Sequence, residues 1–385
     1  MKNTISVYIH IPFCVKKCAY CDFASYSGCM NRMDAYVDAV CREIRAQAAF
    51  FGKRRVKSVF FGGGTPTLMK GEQVQRVMDA LRTHFYIEET AEISMEGNPG
   101  TLLPERLNAY RKAGVNRLSI GVQSMDDRLL AAIGRIHSSA QAAEAVRMVR
   151  DAGFDNLNLD LMYGLPGQTQ DSWRKTLEAA LALEPEHLSC YSLILEEGTA
   201  LHDAVQEGTC APLPDEDTMD ALDAITRQML EATGYARYEV SNWAKPGRQC
   251  RHNIVYWECE PYLGVGAAAH GEMDGNRIEH TADIDEYIEI CENIACLNRS
   301  EGNNTREDRM FERAMMGLRM VRGMNAQRFA QDFGATPQDV WKQTIPRMTQ
   351  AGLMELQGER LALTTRGMDV MNGVLTQMMD EFPGD

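Results

Sequence analysis

The chain of 385 residues contains no apolar run approaching the ~18 residues that a helix needs to cross a bilayer. No apolar h-region with a small-residue cleavage site follows its first residues, so a secretory leader is not expected. Basic charge is in deficit: 40 Lys and Arg stand against 54 Asp and Glu, a net charge of −14. That balance argues against a protein whose affinity comes from neutralising nucleic-acid phosphates, while leaving room for a local basic pocket. Internal repeats and low-complexity tracts are missing. With 44% hydrophobic and 24% charged residues, the composition excludes disordered and collagen-like chains. Cysteine is not scarce: there are eleven, an odd number. In a chain of this size that points to reduced thiols in the cytoplasm, some of them holding metal, rather than to a disulfide scaffold.

Short β-rich runs end at Ile11, Phe61, Met95, Val122, Leu161 and near Leu193, and helical patterns such as Asp34 to Phe50, Glu72 to Phe85, Ser138 to Ala152 and Asp171 to Leu183 lie between them. Alternation without hairpin signals predicts a parallel sheet with helices on its outer side. At about 31 residues per unit, residues 5–200 hold roughly six units, so an α/β partial (β/α)6 barrel is expected rather than a closed eight-unit one. A doubly wound open sheet is the alternative. Residues 201–302 read as an extension of the barrel, with a helix over Asp215 to Thr233, a short strand over Arg237 to Val240 and a polar, aromatic-rich segment from Asn242 to Gly275. Residues 303–385 predict a smaller, mainly helical, winged-helix-like domain: helices over Arg306 to Val321, Asn325 to Phe333 and Pro337 to Ala351, a hairpin, and a last helix from Thr365. Ten Lys and Arg against eleven Asp and Glu in that stretch argue against DNA reading.

The chemistry begins at Cys14-x3-Cys18-x2-Cys21, directly after the first strand. Bacterial ferredoxin spacing is absent, and neither Cys29 nor His10 falls at finger spacing for a structural zinc. Three thiolates cannot fully ligate a four-iron cubane, so one iron stays open to a substrate or cofactor. Structural zinc and unrelated core thiols are the alternatives.

This triplet, with an aromatic residue before its last cysteine, resembles the signature of the radical S-adenosylmethionine (SAM) superfamily. The strings Tyr8-Ile-His-Ile-Pro-Phe-Cys14 and Cys21-Asp22-Phe23 are similar to the coproporphyrinogen dehydrogenase (HemN-like) branch, and within it to its haem chaperones, over nearly the whole chain. The resemblance implies a [4Fe-4S] cluster on Cys14, Cys18 and Cys21, with SAM bound to the open iron. In the superfamily one electron cleaves SAM to methionine and a deoxyadenosyl radical. It also implies SAM contacts at Tyr8, Tyr20, Gly63, Gly64, Thr65, Glu96, Gln123, Arg135 and Asp160, and a backbone contact at Ile194. Independently of the resemblance, many of these residues lie where active sites of βα barrels sit, at the C-terminal ends of the strands. Carboxylates and an amide suit ribose hydroxyls and an ammonium, and Arg suits a carboxylate.

Two departures separate the chain from the decarboxylating members of the branch. Phe23 stands where they carry a fourth cysteine, and seven residues precede Tyr8 where they have a long extension. Both count against a coproporphyrinogen III oxidase. In the other direction, Cys250-Arg-His252-Asn-Ile-Val-Tyr256-Trp257 contains the HNxxYW motif of the haem-chaperone group. His252 is the candidate haem ligand, since imidazole is a common axial ligand. Cys250 is an alternative, and His270 is a candidate for the barrel mouth. From the residues alone, a hydrogen-bonded His252 beside core aromatics is the alternative, since aromatic pairs are usually core and lone histidines usually hydrogen-bonded. The resemblance implies haem b carried as cargo to haem-requiring apoproteins such as respiratory enzymes. A homodimer and peripheral contact with membrane haem proteins go with it, with no nucleic acid and no transmembrane segment. Another radical SAM transformation, such as methyl or methylene transfer, remains a rival.

Overall fold

The computed structural model describes residues 3–300 and 304–382, and these fall into two compact units. The first takes in the chain to residue 236, together with 243–252 and 261–300; the second is made of 237–242, 253–260 and 304–382.

In the first unit, β1 (Thr4–Ile11), β2 (Arg55–Gly63), β3 (Tyr86–Gly97), β4 (Arg117–Gln123), β5 (Leu157–Tyr163) and β6 (His187–Ser192) lie side by side in chain order, each pair parallel. The connecting helices begin and end where local chemistry puts them. Ser138 and Thr169 close capping boxes at the starts of Ser139–Asp151 and Gln170–Leu181. Pro104 opens Pro104–Ala113, and Gly114 ends it in the left-handed conformation. Two-residue periodicity then divides the strands. Ile5, Val7, Ile9, Val59, Phe61, Ile120, Leu159 and Leu161 pack into one core with helix residues such as Val37, Val40, Val77 and Trp173. The alternate positions (Ser6, Ser58, Ser94, Ser119, Asn158, Asp160 and Ser189) give the other face a polar character. That face carries the chemistry.

The sheet extends past the six expected strands on both sides, with Asn242–Ala244 and Ala236–Arg237 following β6. β7 (Tyr262–Val265) pairs with the free side of β1, and β8 (His270–Met273), β9 (Asn276–Glu279) and β10 (Arg299–Ser300) continue antiparallel beyond it. β7 comes from within the polar, aromatic-rich segment, and its partner lies some 250 residues earlier in the chain. Buried Glu43 ties this addition to helix Met33–Phe51: it accepts hydrogen bonds from the Gly266 amide (2.8 Å) and the Tyr287 hydroxyl (2.6 Å).

The second unit has winged-helix order: helix Arg306–Gly317, a strand Met324–Asn325, helix Ala326–Phe333, two short helices (Pro337–Val340 and Thr344–Gln350), and the hairpin Met354–Gln357 with Arg360–Leu363. The strands form one three-stranded sheet. Its core includes Phe329, Trp341, Met348 and Leu361. Two expected helices are interrupted, at Trp341 and at Val370, where the backbone leaves the helical region. No described helix is long and apolar enough to cross a membrane.

Candidate functional site

A cavity of about 390 Å³ opens at the C-terminal ends of the strands. Cys14, Cys18 and Cys21 line it from the loop after β1, with Tyr20 between them; Gly63 and Gly64 come from the end of β2, Glu96 from β3, Gln123 from β4, Asp160 from β5 and Arg135 from the segment after β4. Thr65 is buried in a small pocket alongside, shared with Cys18 and Arg135. Tyr8 is not on the wall. Its hydroxyl bonds His10 Nδ1 (3.0 Å), and its ring lies against Gly62. Ile194 is 68% exposed and also off the wall, although its neighbours Leu193 and Leu195 pack with Tyr20 and Tyr191.

Several polar wall residues escaped the sequence reading: Lys16, Asn98, Ser119 and Tyr191. Ser119 lies four residues before Gln123 on β4, and Tyr191 is two after Ser189 on β6, so the two-residue period would have found them.

Backbone geometry at two positions is specific to this site. Gly63 has φ +109°, and a Cβ there would lie 2.6 Å from the His10 ring. Both facts demand glycine. Gly63→Ala is expected to cost several kcal/mol through strain and overlap, visible as a lowered thermal midpoint; an unchanged midpoint would count against this close approach. At Gln123 the β4–β5 register slips and φ is +62°, an unfavourable conformation for a residue with a side chain. The slip turns its amide into the cavity. Nε2 donates to the Tyr191 hydroxyl (3.2 Å), while Oε1 is buried without a partner.

Two acids on the wall of the cavity have raised pKa values. Burial, reinforced by nearby Asp160, pushes the Glu96 carboxyl up to about 8. One oxygen of Glu96 accepts the Gly63 amide at 3.1 Å. Burial also raises Asp160, against the Ser189, Asn158 and Ser119 hydrogen bonds that favour its anion. Arg135 donates to Cys18 Sγ (3.4 Å), Asn98 Oδ1 (2.6 Å) and the Gly121 carbonyl, yet its Nε is buried and unpartnered.

These residues fit a cluster and SAM. Cys14, Cys18 and Cys21 are free, half-buried thiols, and two of them already face side-chain donors. Among the described residues no three His, Cys, Asp or Glu groups converge on one point that could hold a single ion. A mononuclear zinc needs such convergence; a cubane does not, because each thiolate takes an iron of its own. Buried acids with raised pKa values, an orphan amide oxygen and an under-used guanidinium suit a ligand bearing an ammonium, a carboxylate and hydroxyls.

His252 lies elsewhere, wholly buried. Nδ1 bonds Ser58 Oγ (2.9 Å), its ring stacks on Phe60 at 5.2 Å, and its backbone N–H meets Glu92 at 3.1 Å. Burial, with Lys57 and Arg117 adding to it, pushes the imidazole down to about 3. In this conformation the imidazole is enclosed by protein. Cys250 is likewise buried and donates to Glu92 Oε1 (3.5 Å), and His270 is exposed at the start of β8. The HNxxYW residues are divided: His252 belongs to the first unit, and Asn253, Tyr256 and Trp257 to the second.

Comparison with known proteins agrees with this chemistry. Residues 8–180 match the radical SAM superfamily and residues 304–370 the HemN C-terminal domain. The chain is 36% identical to the "Heme chaperone HemW" of Bacillus subtilis (strain 168) over 378 residues, covering 98% of this chain and 100% of that one. It is 42% identical to the "Heme chaperone HemW" of Escherichia coli (strain K12) over 272 residues, 70% of each. Among solved structures, the coproporphyrinogen III oxidase HemN of Escherichia coli superposes with a TM-score of 0.83 at 24% identity, covering 98% of this chain and 90% of that one, a likeness of fold.

Proposed function

Because the chain belongs to the radical SAM superfamily, in the family of the HemW proteins, we propose that it is a haem chaperone of the cytoplasm. It holds a [4Fe-4S] cluster on Cys14, Cys18 and Cys21, binds SAM beside it, and carries haem b to haem-requiring apoproteins. The observation that carries the cofactor half is the convergence of three thiols, two buried acids and Arg135 on one cavity. When bound, the cluster supplies an open iron for the amino-acid end of SAM. The chain's own residues do the rest. Glu96 gives up a proton to pair with a cation, Asp160 lies beside it on the same wall, Arg135 offers Nε to a carboxylate, and Gln123 Oε1 accepts from a hydroxyl. The haem half rests on the kinship with HemW along the whole chain. Phe23, standing where the decarboxylases carry cysteine, favours it over porphyrinogen oxidation.

Haem titration of the anaerobically reconstituted protein tests this reading. Binding is expected to saturate near one haem per chain; haem bound no better than by an unrelated acidic protein, or robust conversion of coproporphyrinogen to protoporphyrinogen, would overturn it. His252→Ala should first of all destabilise the haem-free protein by about 1–3 kcal/mol, since it removes a buried hydrogen bond and a stacked ring. An unchanged melting curve would show that His252 does not pack as described.

A further inference from the structure

We infer that Asn98 is a positioning residue whose side-chain amide aims an O–H and an N–H at two of the three cluster thiolates and thereby sets the cluster's reduction potential. This rests on the proposal that those cysteines carry a cluster.

The argument is one of donors and acceptors. Asn98 follows β3 and starts the turn Pro99–Thr101. Thr101 fixes its backbone: the Thr101 amide and hydroxyl both donate to the Asn98 carbonyl, each at 2.9 Å. The side chain then has two partners, Arg135 Nη2 at 2.6 Å and Thr65 Oγ1 at 3.0 Å. A guanidinium only donates, so the oxygen of the amide must face Arg135. The amide nitrogen therefore faces Thr65, whose oxygen has to accept. That leaves the Thr65 hydrogen free to point at Cys14 Sγ, 3.6 Å away. On the other side, the guanidinium held by Asn98 donates through Nη1 to Cys18 Sγ at 3.4 Å. Both sulfurs thus accept, which suits thiolates rather than thiols. One amide, reading a cation on one side and a hydroxyl on the other, orients both donors. Hydrogen bonds to cluster sulfurs stabilise the more negative, reduced state and raise its potential.

The test is a redox titration, followed by electron paramagnetic resonance, of the reconstituted full chain. The set is wild type, Thr65→Val, Asn98→Leu, the double variant and Thr65→Ser, with iron and sulfide measured in each. Thr65→Val and Asn98→Leu are expected to shift the midpoint to more negative values. The double variant should shift by less than the sum, because both act partly through the same O–H, and Thr65→Ser should keep the wild-type midpoint. A wild-type midpoint in fully loaded Thr65→Val, or strict additivity, overturns the inference. Should Asn98→Leu fail to assemble a cluster, the Thr65 pair decides alone. A wild-type protein that takes up no iron and sulfide refutes instead the cluster assignment beneath it.

Discussion

Replacing Cys14, Cys18 and Cys21 together with alanine is expected to leave the reconstituted protein without iron or sulfide, where wild type takes up about four of each. The effect should be all or nothing. The three cysteines lie within eight residues on one loop at the mouth of the cavity. A lone alanine at Cys18 should already be severe, since it removes a ligand and leaves Arg135 facing a void in place of a sulfur at 3.4 Å. Metal and sulfide analysis checks both variants. Stoichiometric iron in the triple variant would place the cluster elsewhere, and zinc in wild type would replace the cluster by a different site. The fold should survive, because the loop lies outside the main apolar core except for Phe13 and Cys29 at its ends.

The second large effect concerns Glu96, where binding and stability are expected to move in opposite directions. Its carboxyl is raised to about 8 by burial and by Asp160. A raised pKa in the folded state means that the neutral form is the one the fold prefers. That contribution is complete below the ordinary value near 4.5 and is lost as pH rises through about 8. Glu96→Gln keeps an oxygen for the Gly63 amide and cannot ionise, so the SAM-free variant should be more stable than wild type by roughly 3 kcal/mol at pH 7 and by little at pH 4.5. SAM binding should suffer. A cationic ligand selects the ionised carboxylate, so wild-type affinity is expected to tighten roughly tenfold from pH 6 to pH 7 and to level off above pH 8. The variant should bind about 10–100-fold more weakly at pH 8, with a flatter profile. Thermal unfolding across pH and equilibrium dialysis with SAM read the two effects separately. A variant that loses both stability and affinity would mean Glu96 serves the fold alone.

Much of this was legible in the residues. Each of the six expected barrel strands ends within two residues of its observed end, because the apolar alternation stops where the polar cavity begins, whereas the strand expected over Arg237 to Val240 is found as Ala236–Arg237. The placement of Glu96, Gln123 and Asp160 on one opening follows from parallel strands in chain order. What could not be read has physical reasons. β7 pairs with β1 across a separation of some 250 residues, and no local pattern encodes a partner at that distance. The register slip before Gln123 is a backbone event invisible in the letters. The burial of His252 depends on Ser58 and Glu92, which come from two other strands. The break at Trp341 was legible in part, because Pro346 cannot donate to the residue 342 carbonyl and so belongs in the first turn of a new helix, here Thr344–Gln350; the tertiary bond of the Trp341 indole N–H to the Met378 carbonyl was not.

The division of the chain into its two units has a consequence for how such proteins can be cut and recombined. The backbone passes from one unit to the other five times, at residues 236/237, 242/243, 252/253, 260/261 and between 300 and 304. Glu258 takes Arg322 and Arg360, and Glu260 takes Arg328 (3.2 Å), all within the second unit. A truncation near residue 300 therefore removes the partners of a segment it leaves behind. A chimera that borrows only the tail of a relative would mate foreign arginines with native glutamates. The tail is not a module appended to a barrel, and grafting it requires three stretches of sequence to travel together.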